Sequence, residues 1–177
     1  MTRIERRTED TDVPIPLEPP VSVRPRAPRI TTMNRTACEA LLKRNHVGRL
    51  AYSFRDRVNI VPLHYVYSDG WIYGRTSIGD KVTKLRHNRW VAFEVDEIED
   101  WFEWQSVVAR GALYLLDADE TPDEVWAQTI DVLTKAMPDI FTARDPVPSR
   151  TELFRISVDE LTGRRASSKS QRGSRQD

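Results

Sequence analysis

The stretch from Tyr73 to Lys81 combines groups that can bind a phosphate. It reads Tyr-Gly-Arg-Thr-Ser-Ile-Gly-Asp-Lys and lies where a predicted strand passes into a short helix. A helix N-terminus exposes unpaired backbone amides and a partial positive charge, which together attract anions. Thr76 and Ser77 add hydroxyl groups there, and Arg75 and Lys81 add positive charge. The spacing predicts an anion site, with an ordinary capped helix carrying surface charges as the alternative.

Other reactive side chains lack the spacing that would define a second kind of site. His46, His64 and His87 show no metal-binding spacing, and Cys38 is the single cysteine. Ser106 lies outside any Gly-x-Ser-x-Gly elbow, so nucleophilic hydrolysis has no support. The sequence therefore predicts no metal site and no disulfide within the chain, and it identifies no catalytic residue.

Charge and hydropathy argue against several classes of protein. The 177 residues include 27 Lys and Arg against 27 Asp and Glu, so the formal net charge is zero. A protein that coats nucleic acid needs a basic footprint, and no apolar run approaches the ~20 residues that span a bilayer. The single cysteine fits a reducing compartment. We expect a cytoplasmic protein that binds neither nucleic acid nor membranes.

Alternating and apolar segments predict six strands with three flanking helices. The predicted strands cover residues 49–54, 58–67, 70–76, 90–95, 107–116 and 153–161. Asp69-Gly70 between two apolar runs is typical of a hairpin turn. The helices are predicted to begin near Thr36, Gly79 and Pro122, beside capping residues or a first-turn proline. Six strands with short connections favour a small antiparallel barrel, which leaves few free sheet edges.

The two ends of the chain differ in composition from its middle. Six of the 11 prolines fall between Pro14 and Pro28, interleaved with arginines. The last residues are rich in serine and arginine and include no large apolar side chain. Such segments cannot bury enough apolar surface to order themselves. We predict a disordered arm over residues 1–30, a folded domain over 31–163 and a disordered basic tail over 164–177.

From Leu41 to Gly163, the order of these pieces resembles a known family of flavoproteins. The matching pieces are Leu41-Leu42, Gly48-Arg49-Leu50-Ala51, the strand 58–67, Asp69-Gly-Trp-Ile-Tyr73, Thr76-Ser77 with Gly79-Asp-Lys81, Leu85 with Asn88, Trp104-Gln-Ser-Val107, Gly111 and Phe154-Arg-Ile156 with Thr162-Gly163. The family is that of the pyridoxamine 5'-phosphate oxidase-like split barrels, and the similarity is greatest to the branch of the nitroimidazole-resistance proteins. It implies a mainly β fold with flanking helices, arranged as a six-stranded antiparallel split β-barrel of the FMN-binding type.

The resemblance also implies where FMN would bind. In the oxidase pattern, the flavin lies between two subunits along a strand that aligns with residues 59–64. The phosphate site falls on Arg75, Asp80 and Lys81, so a cation is expected at the strand end where the family has Thr. The implied cofactor-binding residues are Asn59, Val61, Pro62, Leu63, His64, Arg75, Thr76, Ser77, Lys81 and Ser106. The amides of Val61 and Leu63 are expected to face the flavin.

The function implied is that of a flavin-dependent oxidoreductase. We expect a homodimer that passes electrons from a nicotinamide donor to a small organic substrate. The flavin performs the redox chemistry in such proteins, so no residue is assigned a catalytic role. Related barrels use the deazaflavin F420, or hold haem with a His ligand, for which His64 is the candidate. A flavin carrier without turnover is a further alternative.

Overall fold

The computed structural model describes residues 28–168, which form nine strands and three helices. The strands are β1 (Arg29–Thr32), β2 (Val47–Phe54), β3 (Arg57–His64), β4 (Val66–Ser68), β5 (Trp71–Thr76), β6 (Trp90–Asp100), β7 (Glu103–Leu116), β8 (Glu152–Ser157) and β9 (Glu160–Ser167). The helices are α1 (Arg35–Arg44), α2 (Asp80–His87) and α3 (Asp123–Ala136). None of these three helices is long and apolar enough to cross a membrane.

Six of the strands form the barrel. They follow the order β3-β2-β6-β7-β8-β5, and each neighbouring pair is antiparallel. The path returns on itself where Gly74 of β5 meets the end of β3, because a Cβ on Gly74 would lie 2.9 Å from the carbonyl oxygen of His64. The predicted fold class, mainly β with flanking helices in an antiparallel barrel, is confirmed.

The long strand β7 changes partners at Gly111. Residues Trp104–Arg110 pair with β9, and Leu113–Leu116 pair with β8. The chain between β8 and β9 crosses β7 at this change, so a Cβ on Gly111 would lie 1.8 Å from the carbonyl oxygen of Ser157. A side chain there would collide with backbone, which explains the glycine.

The nine strands exceed the six predicted because β1 was not predicted and two predicted strands are each divided in two. The segment 58–67 is interrupted at Tyr65, whose hydroxyl donates to the carbonyl of Leu42 at 2.8 Å. The ring of Tyr65 packs edge-on against Phe93, with 4.9 Å between centroids. The segment 153–161 is divided by the turn at Val158 and Asp159. In both places the chain passes from one strand ladder to another, although the residue types favour one continuous strand.

Strands extend beyond the predicted boundaries of the folded domain at both ends. Strand β1 begins at Arg29 and pairs with β9, which runs to Ser167, so the two ends of the described chain lie side by side. Burial secures this pairing, because Ala166 is buried and Gly163 packs against Cys38. The rest of the predicted arm and tail, residues 1–27 and 169–177, lies outside the described residues.

Two hydrophobic cores hold the helices to the sheet. Helix α1 buries Leu41 and Leu42 inside the barrel core, and α3 buries Leu133 in a smaller core with Tyr73 of β5. The N-cap of α1 is Asn34, whose side chain accepts from the amide of Ala37 at 2.9 Å, and not Thr36 as the sequence suggested. The two cores fix β5 and the segment between α3 and β8, which carry part of the site described next.

Candidate functional site

The connection from β5 to α2 places the predicted phosphate-binding groups at an open helix end. Gly79 is the N-cap of α2, and no side chain caps the helix. Its carbonyl accepts from the amides of Val82 and Thr83, which leaves the first-turn amides without a partner inside the helix. A Cβ on Gly79 would meet no atom within 4 Å, so space is open there. Ser77 is exposed in this turn, whereas Thr76 is buried.

Lys81 is a half-buried cation in the first turn of α2. No described carboxylate forms an ion pair with it, whereas Lys84 on the same helix pairs with Asp80 at 2.5 Å. Burial lowers the pKa of Lys81, and the positive charge of Arg150 lowers it further. An ammonium group that loses solvent without gaining a carboxylate is suited to receive an anion.

Arg75 is occupied by another residue of the chain. Its two terminal nitrogens donate to both carboxylate oxygens of Asp145, and the two side chains are only 7% and 5% exposed. Hydrogen bonds from Arg75 hold the pKa of Asp145 well below its usual range. The guanidinium also lies 5.6 Å from the centre of the Phe141 ring. The charge predicted for a phosphate is therefore neutralised internally, and the structure does not support Arg75 as a phosphate ligand.

Strand β3 presents one edge and one face to the outside. Its register with β2 sets Asn59, Val61 and Leu63 toward the barrel interior and Pro62 and His64 outward. The edge away from β2 pairs with no strand among residues 28–168. Proline has no backbone N–H to donate to a neighbouring strand, so it is tolerated on an edge where no neighbour needs that donor. The structure thus keeps residues 59–64 together on one accessible strand.

The hydrogen-bond register decides which amides of β3 are available. The amide of Tyr65 donates to the carbonyl of His46 at 3.0 Å, which continues the β2–β3 ladder. In an antiparallel ladder, every second residue directs its amide at the partner strand. The amides of Val61 and Leu63 therefore face β2, and those of Ile60 and His64 face the open edge. The expectation that Val61 and Leu63 offer their amides to a ligand is not supported.

Helix α2 lies along the same side of the barrel as β3. The ring of His87, its last residue, lies 5.5 Å from that of Phe54, which precedes the turn into β3. At the other end, the strand leading to α2 passes Gly74, which lies against the carbonyl of His64. The helix and the strand that flank the predicted turn therefore approach the two ends of β3. The structure brings the predicted strand and the predicted turn to one side of the molecule.

Ser106 does not join this group within one protomer. It lies on β7, and β2 and β6 lie between β7 and β3 in the sheet. Three strand spacings, about 14 Å in total, therefore separate Ser106 from β3 along the sheet. Its hydroxyl donates to Glu94 at 3.0 Å, beside Asp96 and Arg49. Burial raises the pKa of Glu94, and the hydrogen bond from Ser106 partly offsets that rise.

The outer face of the sheet is apolar and accessible. We use this name for the outward side chains of Val58, Ile60, Ala51, Ala92 and Trp90 on β3, β2 and β6. Val58 and Ile60 are 72% and 67% exposed. A cavity of about 450 Å³ lies on this face, lined by Val58, Trp90 and Ala92 among others. Exposed apolar clusters of this kind mark interaction surfaces.

Residues 34–165 match the family model described as pyridoxamine 5'-phosphate oxidase. The chain belongs to the pyridoxamine 5'-phosphate oxidase family. This match covers all the predicted site residues, and it ends within β9.

Solved structures show the same fold. An FAD-binding protein from Mesorhizobium loti is 31% identical, with a TM-score of 0.62, and the match covers 79% of this chain and 98% of that one. A candidate 5-nitroimidazole antibiotic resistance protein from Bacteroides thetaiotaomicron is 16% identical, with a TM-score of 0.60 and coverage of 79% and 92%. The haem storage protein HutZ from Vibrio cholerae is 18% identical, with a TM-score of 0.55 and coverage of 71% and 89%. At these lower identities, the last two show the oxidase-family fold alone.

We did not predict that residues 137–151, between α3 and β8, contribute to this region. Asp145 accepts from the amides of Phe141 and Val147 as well as from Arg75. Phe141 has a left-handed backbone with φ of 64°, which is uncommon outside glycine. The segment follows no helical or strand periodicity, so the sequence contained no pattern that would link Asp145 or Arg150 to the turn after β5.

Proposed function

We propose that this member of the pyridoxamine 5'-phosphate oxidase family binds FMN and works as a homodimeric flavin-dependent oxidoreductase. The observation that carries the proposal is Lys81, a half-buried cation without a described carboxylate partner at the open N-terminus of α2. That helix lies beside an accessible strand edge long enough to accompany a planar ring and its side chain. FAD binding in the relative from Mesorhizobium loti supports a flavin as the ligand.

The chain's own residues fit the two ends of FMN. Lys81, the exposed hydroxyl of Ser77 and the first-turn amides of α2 would hold the phosphate. The open edge of β3 would hold the flavin ring through the amides of Ile60 and His64, with Pro62 leaving one edge position without a donor. When bound, FMN supplies the redox chemistry, and the protein binds, orients and tunes it. No side chain need act as a nucleophile.

A second copy of the chain would complete the site. The outer face exposes Val58 and Ile60 in a single protomer, and a shallow open edge encloses little of a ligand, whereas binding sites bury most of a ligand's surface. Pairing through this face would cover both the apolar residues and the flavin. It would also bring Ser106 and its charged neighbours, which lie far from β3 in one protomer, toward the partner's strand.

The reaction we propose is electron transfer from a nicotinamide donor to a small organic acceptor. Its support is the family membership and the absence of any need for a protein nucleophile in flavin chemistry. In the alternative function, haem binding, His64 would be the iron ligand, and its side chain points outward on β3. An absorption spectrum separates the possibilities, since flavin, F420 and haem differ in their bands.

Titration of the full chain with FMN and with riboflavin tests the phosphate assignment. Lys81→Ala removes a charge-assisted contact worth about 1.5–3 kcal/mol, so the FMN affinity should fall roughly ten- to a hundredfold. Riboflavin, which lacks the phosphate, should bind both proteins equally. Lys84→Ala is the matched control, because Asp80 already neutralises that cation. Equal FMN affinity in the wild type and a folded Lys81→Ala variant would place the phosphate elsewhere.

A further inference from the structure

We propose that Arg150 is the second cation of the phosphate site, in the place that the sequence had assigned to Arg75. This inference rests on the proposed binding of FMN and adds to it a residue from a different part of the chain. Arg150 lies in the irregular segment between α3 and β8, outside the strand and helix that carry Lys81.

Sheet register brings Arg150 to the turn after β5. Thr76, the last residue of β5, pairs with Glu152 in the antiparallel β5–β8 ladder. Two residues beyond Thr76 the chain reaches Ile78, and two residues before Glu152 it reaches Arg150. The ladder ends at this pair, so Arg150 and the turn that follows Thr76 lie at the same end of the β5–β8 pair.

The buried Arg75–Asp145 pair fixes the segment that carries Arg150. Arg75 donates to the carbonyl of Arg150 at 3.4 Å, in addition to its bonds with Asp145. Asp145 in turn accepts from the amide of Val147 at 2.8 Å, and the amide of Arg150 donates to Val147 at 3.1 Å. These bonds tie residues 145–150 to the end of β5. Arg75 thereby acts as a positioning residue, while its own charge is cancelled.

Arg150 itself carries an uncancelled charge. It is half-buried and forms no ion pair with a described carboxylate, and it lines a cleft of about 410 Å³ beside Phe141 and Thr142. Its charge acts on Lys81, lowering the pKa of that group in addition to the effect of burial. Two cations that repel each other in a partly buried place are stabilised by an anion between them. The planar guanidinium can bind two phosphate oxygens through a fixed fork of parallel N–H donors, a geometry that an ammonium group lacks.

Paired titrations with FMN and riboflavin test the assignment. Arg150→Ala in the full chain should weaken FMN binding about tenfold and leave riboflavin binding unchanged. Arg150→Lys should recover part of the loss, because it restores the charge without the fork. Arg144→Ala is the matched control, since Arg144 is exposed in the same segment and forms no described ion pair. Asp145→Asn should lower the ratio of FMN to riboflavin affinity, a readout that general destabilisation would not move.

The outcomes separate this inference from the proposed function. If Lys81→Ala weakens FMN binding and Arg150→Ala does not, the phosphate site stands and the role of Arg150 is overturned. If Arg150→Ala weakens FMN and riboflavin equally, Arg150 acts on the fold and not on the phosphate, which also overturns it. If the wild-type chain binds no FMN, the proposed function fails, and the role of Arg150 fails with it.

Discussion

Arg75 and Asp145 form an ion pair in which the two terminal guanidinium nitrogens meet both carboxylate oxygens, although the two residues are 70 positions apart in sequence. The pair lies beneath the segment from Phe141 to Arg150 and joins it to β5. A buried ion pair is costly to break, because the residue left behind keeps an uncompensated charge away from water. Its consequence is structural, since it holds in place the segment on which the proposed second cation lies.

Asp145→Asn should lower the melting temperature at neutral pH. The bonds from Arg75 depress the pKa of Asp145 in the folded state. A carboxyl group whose pKa is lower in the folded state than in the unfolded chain stabilises the fold at pH values above its unfolded pKa of about 3.9. That stabilisation is lost as the pH falls from this value toward the folded pKa. The difference in melting temperature between the wild type and the variant should be constant between about pH 5 and 8 and shrink below about pH 4.

Asp139→Asn is the control for this pH series, because Asp139 is an exposed carboxylate in the same segment. Melting curves from both variants and the wild type supply the comparison. A difference for Asp145→Asn that stays unchanged down to about pH 3 would show that the carboxylate charge of Asp145 does not stabilise the fold.

Gly111→Ala should destabilise the barrel. The new Cβ would lie 1.8 Å from the carbonyl oxygen of Ser157, and a backbone group cannot move aside as a flexible side chain can. Overpacking of this kind costs about 1–3 kcal/mol or more in the free energy of unfolding. Denaturant unfolding measures it, with Gly79→Ser as the control, since space around Gly79 is open. Equal unfolding free energies for Gly111→Ala and the wild type would contradict the close approach of β7 to the β8–β9 turn.

Much of the fold could be predicted, because its strands follow alternation and its turns have distinctive residues. The hairpin at Asp69-Gly70 is present, and both residues have the positive φ angles, 49° and 80°, that such a turn requires. The ends could not be predicted in the same way. Strand β1 and the end of β9 are short, mostly polar segments. They are held in place by pairing with each other, although they lie far apart in sequence.

The candidate site likewise has parts that the sequence predicts and parts that it does not. The strand 59–64 and the turn at Ser77–Lys81 were predicted, because each is local in sequence and has a recognisable composition. The role of Arg75 could not be predicted, since spacing within one segment does not reveal a carboxylate such as Asp145 that folds onto it. The directions of the β3 amides likewise depend on the pairing with β2, which alternation alone does not fix.

Ile60→Glu should convert the proposed dimer into a monomer. Ile60 lies on the outer face and is mostly exposed in one protomer, so pairing through this face would bury the new carboxylate without a partner. Light scattering at micromolar concentration gives the mass, and an FMN titration of the same sample should show weaker binding. Ala127→Glu, an exposed position on α3, should leave the mass unchanged. A dimeric Ile60→Glu protein with normal FMN affinity would show that the outer face is not the interface.

The central claim is that this chain selects FMN, and a competition experiment tests it most directly. The full chain is incubated with equal amounts of FMN, FAD, F420 and haem, separated from free ligand and denatured, and the released molecule is identified by mass spectrometry. The account predicts FMN, at close to one molecule per protomer. Release of FAD, haem or F420 in its place, or of no flavin at all, would contradict it.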